Sequence, residues 1–478
     1  MVKRQTLVIF IFSGIIIRLP TKQVIIRSSM KSSVSISGLV FLCLLYFTSA
    51  SIFYLAISTE YIPSDSLANA RLAIFLILAP IIVKYIIQLV AIPFYTLVEK
   101  YQQSRSLLPT DYSVSVLIPA WNEEMGILKT LKSVLQTRYA NLEVIVINDG
   151  STDNTHQLVS DYIDTYHTDS AATTQVKYFE LANGGKAKAL NYGLKNATGE
   201  IIITIDADSV MEANAITNII KRFTDNDVAA VAGNVIVGNR KRSIELMQQL
   251  EYLYGFFFKR ADSIFNSVYI IGGAAAAYQK KVLDELGGFD EDIITEDIEM
   301  STRILGAGYK TRYAADAVVY TEGPSNFKDL FNQRLRWKFG RLLTFVKHRH
   351  LFFSCSKKHS PYLTFMLLPL ALYAELTLLF EALLLAVFYG YTFYTNDYMP
   401  LVFVISFISI VIIIQIIVDS KTRFHANLLI LAPVAWIIFY IIDAVEFQAL
   451  VRSLIRLKNK ENVQWQKWVR VGLKTHIK

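Results

Sequence analysis

Cysteine is almost missing from this chain. Two residues in 478, Cys43 and Cys355, allow neither a disulfide framework nor a zinc-type ligand spacing. A large charge excess is missing too. A formal net charge of +8 is too small to be an electrostatic footprint for nucleic acid, and anionic small molecules or a membrane surface fit it better. The first 35 residues carry six Lys or Arg and no acid. The short apolar run 9–17 sits among Lys3, Arg4 and Arg18, but no small-residue cleavage site follows it, so it does not read as a signal peptide. Because Met30 stands just before the first long apolar segment, residues 1–29 are expected to be a dispensable extension.

What is present is apolar surface, with hydrophobic residues at 53% of the chain. Five segments approach the length of a membrane span, at 36–57, 72–95, 362–391, 401–418 and 428–450. A long soluble region lies between the second and the third. The positive-inside rule puts residues 1–35 in the cytosol. Two spans bring the chain back there for its soluble region, so the expected setting is the plasma membrane, crossed several times. Three more spans would leave the C-terminus outside. Yet Arg452, Arg456, Lys458, Lys460, Lys467, Arg470, Lys474 and Lys478 argue for the inside. One C-terminal segment is therefore expected to be interfacial or re-entrant, and 362–391, with Pro369, Glu375 and Glu381, is the most ambiguous.

The soluble region alternates strand and helix patterns. SVSVLIPAWNEE, LEVIVINDGSTDNT, VKYFEL and IIITIDADS read as buried strands, with helical spacing in between. Such alternation implies a mostly parallel, doubly wound sheet with helices on both faces. Ligands then sit beyond the carboxyl ends of the strands. Asn122, Glu123, Asp149, Asp206 and Asp208 all fall at such ends. An isolated Asp-x-Asp is ordinarily a solvated turn. Four strand ends with acid, amide and glycine together favour a second reading, in which hard oxygen ligands hold a divalent cation that also meets phosphate. If the extended conformation persists, Asp206 and Asp208 point the same way. Lys186, in a glycine-flanked turn at a helix start, suits the same anion.

Six motifs occur in order: IPAWNE, NDGSTD, NGGKAKALN, DAD, TED and QRLRW. With them the chain resembles the family 2 glycosyltransferases, among them the membrane-embedded processive synthases of β-linked glycans, and most of all the bacterial poly-β-1,6-N-acetylglucosamine synthases. The resemblance covers roughly 114–341, with membrane spans matching on both sides. It implies a GT-A-type, Rossmann-like α/β domain, cytosolic and inserted between transmembrane helices. The expected division is a basic cytosolic segment at 1–35, two membrane helices within 36–95, the catalytic domain at 102–325, an amphipathic interface helix bearing QRLRW at 326–350, about three membrane helices within 362–450, and a basic tail at 451–478.

By the same resemblance a UDP-sugar is the donor, a growing glycan the acceptor and membrane lipid the surroundings, with room for a small membrane accessory subunit and no nucleic-acid partner. Pro119, Ala120, Asn122, Glu123, Asp149, Gly150, Lys186 and Asp206 would line the donor, with Asp149 at the uracil edge. Asp208, with Asp206 beside it, would hold Mg²⁺ or Mn²⁺. Asp297 would be the catalytic base, which implies inversion. Gly272, Gly273, Glu296, Gln333, Arg334, Arg336 and Trp337 would border the acceptor and the channel entrance, with arginine on the pyrophosphate and Trp337 under the acceptor sugar. Two departures qualify the likeness: KFGR follows Trp337 where a small residue and a Gln are expected, and the C-terminal VQWQKWVRVG is shared by relatives of differing product. Hyaluronan, chitin or cellulose-like glucan synthesis, a single transfer to a lipid-linked acceptor, and a transporter are the competing readings.

Overall fold

The computed structural model describes residues 36–62, 65–106, 108, 111–168, 174–461, 470 and 472–473. The expected basic segment 1–35 and most of the tail after 461 lie outside the described residues. Two apolar helices come first, α1 (Ile36–Ser58) and α2 (Asp65–Ala91), followed by α3 (Tyr95–Ser104). The α/β domain then runs through β1 (Val114–Ala120), α4 (Ile127–Leu135), β2 (Leu142–Asp149), α5 (Thr155–Thr168), β3 (Gln175–Leu181), α6 (Lys186–Asn196), β4 (Ile201–Thr204) and β5 (Val210–Met211). It continues through α7 (Ala215–Ile220), β6 (Val228–Val237), α8 (Ser243–Ile264), β7 (Ala276–Gln279), α9 (Lys280–Glu285), α10 (Glu296–Ala307), β8 (Lys310–Thr321) and α11 (Phe327–Lys347). The C-terminal part holds α12 (Leu368–Thr395), α13 (Met399–Val418), the short α14 (Thr422–His425) and α15 (Ala435–Asn459).

The eight strands form one sheet in the order β3-β2-β1-β4-β7-β6-β8-β5. The first four are parallel, as alternation requires. The sheet is mixed beyond β4, because β7 runs antiparallel to both β4 and β6. Side-chain alternation splits the strands between two cores. Val116, Ile118 and Ile203 enter one, and Leu117, Ile145 and Ile202 enter the other. Burial on both faces is why these strands read as continuous apolar runs. Each such side chain contributes roughly 1.5–3 kcal/mol.

The extended conformation of IIITIDADS stops at Thr204. The Ser209 amide donates to the Asp206 carbonyl at 3.0 Å, closing a turn. Asp206 and Asp208 therefore do not share a strand face, and each turns to its own partner.

Among the described residues, five helices are long and apolar enough to cross a membrane. Ser49, midway along α1, donates to the Pro433 carbonyl and accepts from the Trp436 indole. Ser409, midway along α13, donates to the Ala432 carbonyl. The chain after α13 thus returns through α14 and short 3-10 turns to the middle of α1 and α13, and α15 starts there. Ala432, Val434 and Ala435 are fully buried at that point. Tyr362–Thr395 forms one continuous helical run.

Interface helix α11 is amphipathic, but its basic face turns inward. Lys338 lies 2.6 Å from Glu375 on α12 and 3.0 Å from Glu446 on α15. Arg341 lies 3.0 Å from Glu375. Buried Glu299 clamps α10 onto the end of α11 through Lys347 and His348. Burial alone would raise its carboxyl, but these partners and Arg303 hold it down to about 2.

Candidate active site

A cavity of about 1380 Å³ opens beyond the carboxyl ends of β1, β2 and β4 and continues between the membrane helices. One end is walled by Pro119, Ala120, Trp121, Glu123, Asp149 and the turn Asn183–Lys186. Its far end reaches Val404, Ile408, Trp436 and Tyr440.

Asp149 ends β2 and organises the glycine turn. One carboxylate oxygen accepts from the Gly184 amide and the other from the Gly185 amide, each at 2.8 Å. Gly150 sits at φ +68°, and a Cβ there would lie 2.7 Å from the Asn183 nitrogen, so only glycine fits. It shapes the turn without lining the cavity. Asn122 is likewise off the wall. Its side-chain oxygen accepts from the amides of Thr152 and Asp153 and braces two loops. Trp121, its neighbour, lines the cavity in its place.

Lys186 opens α6, and its ammonium is buried rather than solvated. It lies 2.7 Å from Asp206 Oδ1 and 3.0 Å from Glu296 Oε1. Burial opposes its charge, but Asp206, Glu296 and Asp297 outweigh it and raise its pKa. Burial would raise Asp206, and Lys186 holds it below the usual carboxylate range. Glu296 ends up raised, because burial is the larger effect there.

Asp208 faces elsewhere. Its Oδ2 lies 2.5 Å from Arg470 Nη1, and its Oδ1 accepts from Ser209 Oγ at 3.0 Å and Thr321 Oγ1 at 3.2 Å. Arg470 also bonds Glu123 at 2.9 Å. Among the described residues no three His, Cys, Asp or Glu side chains converge to enclose a metal. Asp206 and Asp208 offer one or two hard oxygens, the donor set of a cation completed by phosphate oxygens and water.

Asp297 stands in the first turn of α10, on the cavity wall. Its Oδ2 accepts from the Gly273 amide and its Oδ1 from the Ile298 amide, both at 2.9 Å. Gly273 permits a close approach, since a Cβ would sit 2.7 Å from Lys186 Nζ. Gly272 lines the wall beside it. Thr295 holds the N-cap position, yet its hydroxyl makes no cap hydrogen bond. It packs against Gly340 of α11 instead, where a Cβ would lie 2.1 Å from Thr295 Oγ1. Gly340→Ala is expected to destabilise the protein by about 1–3 kcal/mol through overpacking. Thermal unfolding of the detergent-solubilised protein reads this, and adding Thr295→Ala should recover part of the loss. Equal loss in single and double variants would refute the contact.

The QRLRW motif divides its labour. Arg334 is committed to Glu251 by two hydrogen bonds of 2.7 Å. Its guanidinium also lies 4.4 Å from the Trp337 ring centroid. It holds the indole, and it lines the cavity as well. Arg336 faces Glu296 and Asp206, and burial lowers its pKa. Gln333 and Trp337 line the cavity, with Tyr252 at 6.4 Å from the indole.

Further wall residues come from α8, which places Glu251, Tyr252, Gly255, Lys259 and Asp262 on the cavity. Burial lowers the Lys259 pKa to about 8. Gln88 of α2 and Tyr362 both donate to Asp262, at 2.9 and 2.8 Å. The spacing 251, 255, 259, 262 is a helical face and was legible in EYLYGFFFKRAD.

The family described as Glycosyl transferase family 2 matches residues 115–287. The poly-beta-1,6-N-acetyl-D-glucosamine synthase of Staphylococcus epidermidis RP62A is 32% identical over 275 residues, covering 56% of this chain and 64% of that protein. The Staphylococcus aureus COL protein of the same name is 32% identical over 237 residues, covering 48% of this chain and 54% of its own length. The match thus spans less than two thirds of these relatives. Among solved structures, the mannosyltransferase PcManGT of Pyrobaculum calidifontis, in complex with GDP-Man and Mn²⁺, aligns at 24% identity over 69% of this chain and 96% of its own, with a TM-score of 0.46.

Proposed function

We propose that this chain, which carries a family 2 glycosyltransferase domain across residues 115–287, is an inverting, processive synthase. Its donor is UDP-N-acetylglucosamine, and its product is a poly-β-1,6-N-acetylglucosamine chain passed across the plasma membrane from a cytosolic catalytic domain. The observation that carries the reading is the single cavity joining Asp149, Lys186 and Asp208 to Asp297 and Trp337, then running on among α8, α13 and α15. A product that stays bound while it lengthens needs such a path.

Asp149 keeps lone pairs for a uracil edge beyond the two amides it accepts. Mg²⁺ or Mn²⁺ fits the hard carboxylates Asp206 and Asp208, which are too few to enclose an ion without the diphosphate. When bound, such a cation neutralises charge developing on departing UDP. Lys186 and Arg336 bring further positive charge to the same end. Asp297 takes the proton of the acceptor hydroxyl as that oxygen attacks the anomeric carbon, and the bond to UDP breaks with its electron pair. One displacement inverts the centre, from α-donor to β-product. Trp337, with one face toward Arg334, offers an aromatic platform to an acceptor sugar.

The test incubates membranes with labelled UDP-sugars and digests the product with linkage-specific hydrolases. Polymer from UDP-N-acetylglucosamine that only a β-1,6-specific enzyme degrades supports the reading. A product of one added sugar overturns processivity, and absence of UDP binding overturns the enzyme reading. Trp337→Ala is expected to lower polymer formation steeply while slow UDP release to water continues. Both are measured in the same membranes, and a parallel fall would assign Trp337 to the donor site or the fold.

A further inference from the structure

We propose that the loop between α11 and α12 is a binding site for anionic phospholipid headgroups, in the leaflet that faces the α/β domain. The site requires that the run Tyr362–Thr395 crosses the bilayer, and it requires no particular sugar donor. That run holds 34 residues, which makes it about 51 Å long at 1.5 Å per residue. A hydrocarbon core is about 30 Å thick, so about 20 Å is left for the two ends, and the first turns stand at headgroup level. Phe365 lies in those turns and is 47% exposed. It shares a helix face with exposed Leu376 and Leu383, about three and five turns further on. Those two belong to the uncovered apolar side of the run, so Phe365 marks the side of the loop that meets lipid.

The Phe353 ring packs edge-on against Phe365, with centroids 6.1 Å apart, and is itself 62% exposed. Its backbone sits at φ +57°, a left-handed conformation that a bulky residue seldom adopts. The loop holds it there. The Phe353 amide donates to the Thr364 carbonyl at 2.9 Å. Ser354 Oγ donates to His359 Nδ1 at 2.8 Å, and His359 Nε2 donates to the Gly306 carbonyl of α10 at 3.0 Å. Strain that presents an uncovered ring adds nothing to the core, and strain of that kind collects where a ligand is met. The same loop carries Arg349, Lys357 and Lys358, all exposed and all without a hydrogen bond or ion pair among the described residues. Lys347, just before it, is by contrast committed to Asp290 and Glu299. No Asp or Glu occurs between Asp329 and Glu375. Three uncommitted cations and two exposed rings at the foot of a span match phosphate headgroups lying over acyl chains. A soluble anion would satisfy the cations and leave the rings in water.

The exposed Cys355 gives the loop its own reporter. The full chain, carrying Cys43→Ser and a fluorophore on Cys355, is reconstituted in vesicles of equal parts phosphatidylglycerol and phosphatidylcholine. Bromine is placed on the acyl chains of one lipid or the other. Quenching by the brominated phosphatidylglycerol is expected to be about two- to fivefold stronger, since one Lys or Arg at an anionic surface shifts the equilibrium roughly fivefold. The preference should vanish in R349Q/K357Q/K358Q and persist in R349K/K357R/K358R. Equal quenching by both lipids in the unsubstituted loop, or a preference that survives R349Q/K357Q/K358Q, overturns the site. Quenching by neither lipid places the loop clear of the bilayer and also overturns it. Inorganic phosphate should weaken the preference no more than sodium chloride of equal ionic strength. A larger effect of phosphate would assign the cations to a free anion, and the lipid site would fall.

Discussion

Asp297→Asn is expected to abolish sugar transfer while UDP binds as in wild type. The side chain is held by two backbone amides, Gly273 and Ile298. It stands on the cavity wall beside Gly273 and Lys186. Asparagine keeps the shape and can still accept a hydrogen bond, but it cannot take up a proton. General-base catalysis contributes about 10²–10⁴-fold, and the loss in transfer rate should fall in that range. Calorimetry with UDP separates binding from chemistry, and labelled polymer measures turnover. A variant within tenfold of wild type would remove Asp297 from the proton transfer.

Lys186→Met is expected to cost both activity and stability. The ammonium lies 2.7 Å from Asp206 and 3.0 Å from Glu296, and the Glu296 side chain is only 5% exposed, against 35% for Asp206. Deleting one partner of a buried pair typically costs about 3–5 kcal/mol, because the other charge is left without compensation. The pH dependence carries the signature. In wild type the raised Lys186 pKa contributes stability throughout the neutral range, lost only as pH rises through that raised value. Depressed Asp206 contributes stability that is lost only in acid. In the variant Glu296 keeps its burial without the cation, so its pKa rises further, and partly exposed Asp206 loses the charge that held it down. A carboxyl raised above its unfolded value loses stability as pH increases. The variant should therefore be closest to wild type near pH 5 and fall away toward pH 8. Chemical denaturation at the two pH values tests this, and a parallel offset at both would show that Glu296 and Asp206 find other partners.

The α/β half of the molecule was legible wherever the signal was local. β-branched runs between turn residues located β1, β2 and β4, and alternation with helical patterns implied their parallel order. Asp297, Lys186 and Trp337, which stand in the motifs, line the cavity. The readings that changed depended on distance along the chain. Nothing in IIITIDADS says that the strand releases its backbone at Thr204 and sends its two aspartates to different cations. Nothing in the tail distinguishes Arg470 from its basic neighbours, because its partners Asp208 and Glu123 are set by the fold. Arg334 and Arg336 look alike in QRLRW, and only the position of Glu251 on α8 separates them. The antiparallel β7 was hidden for a similar reason, since a short apolar strand carries no mark of its direction.

The inward basic face of α11 has a consequence for how the protein is made. Arg334, Lys338 and Arg341 lie against Glu251, Glu375 and Glu446. Only Glu251 precedes them in the chain. Domains fold as they emerge from the ribosome, N-terminal parts first, so the sheet is complete before α12 and α15 exist. Until those helices are made, Lys338 and Arg341 lack the carboxylates they meet in the folded chain. Synthesis order thus leaves the α11 wall of the cavity unbraced until the C-terminal helices have been added.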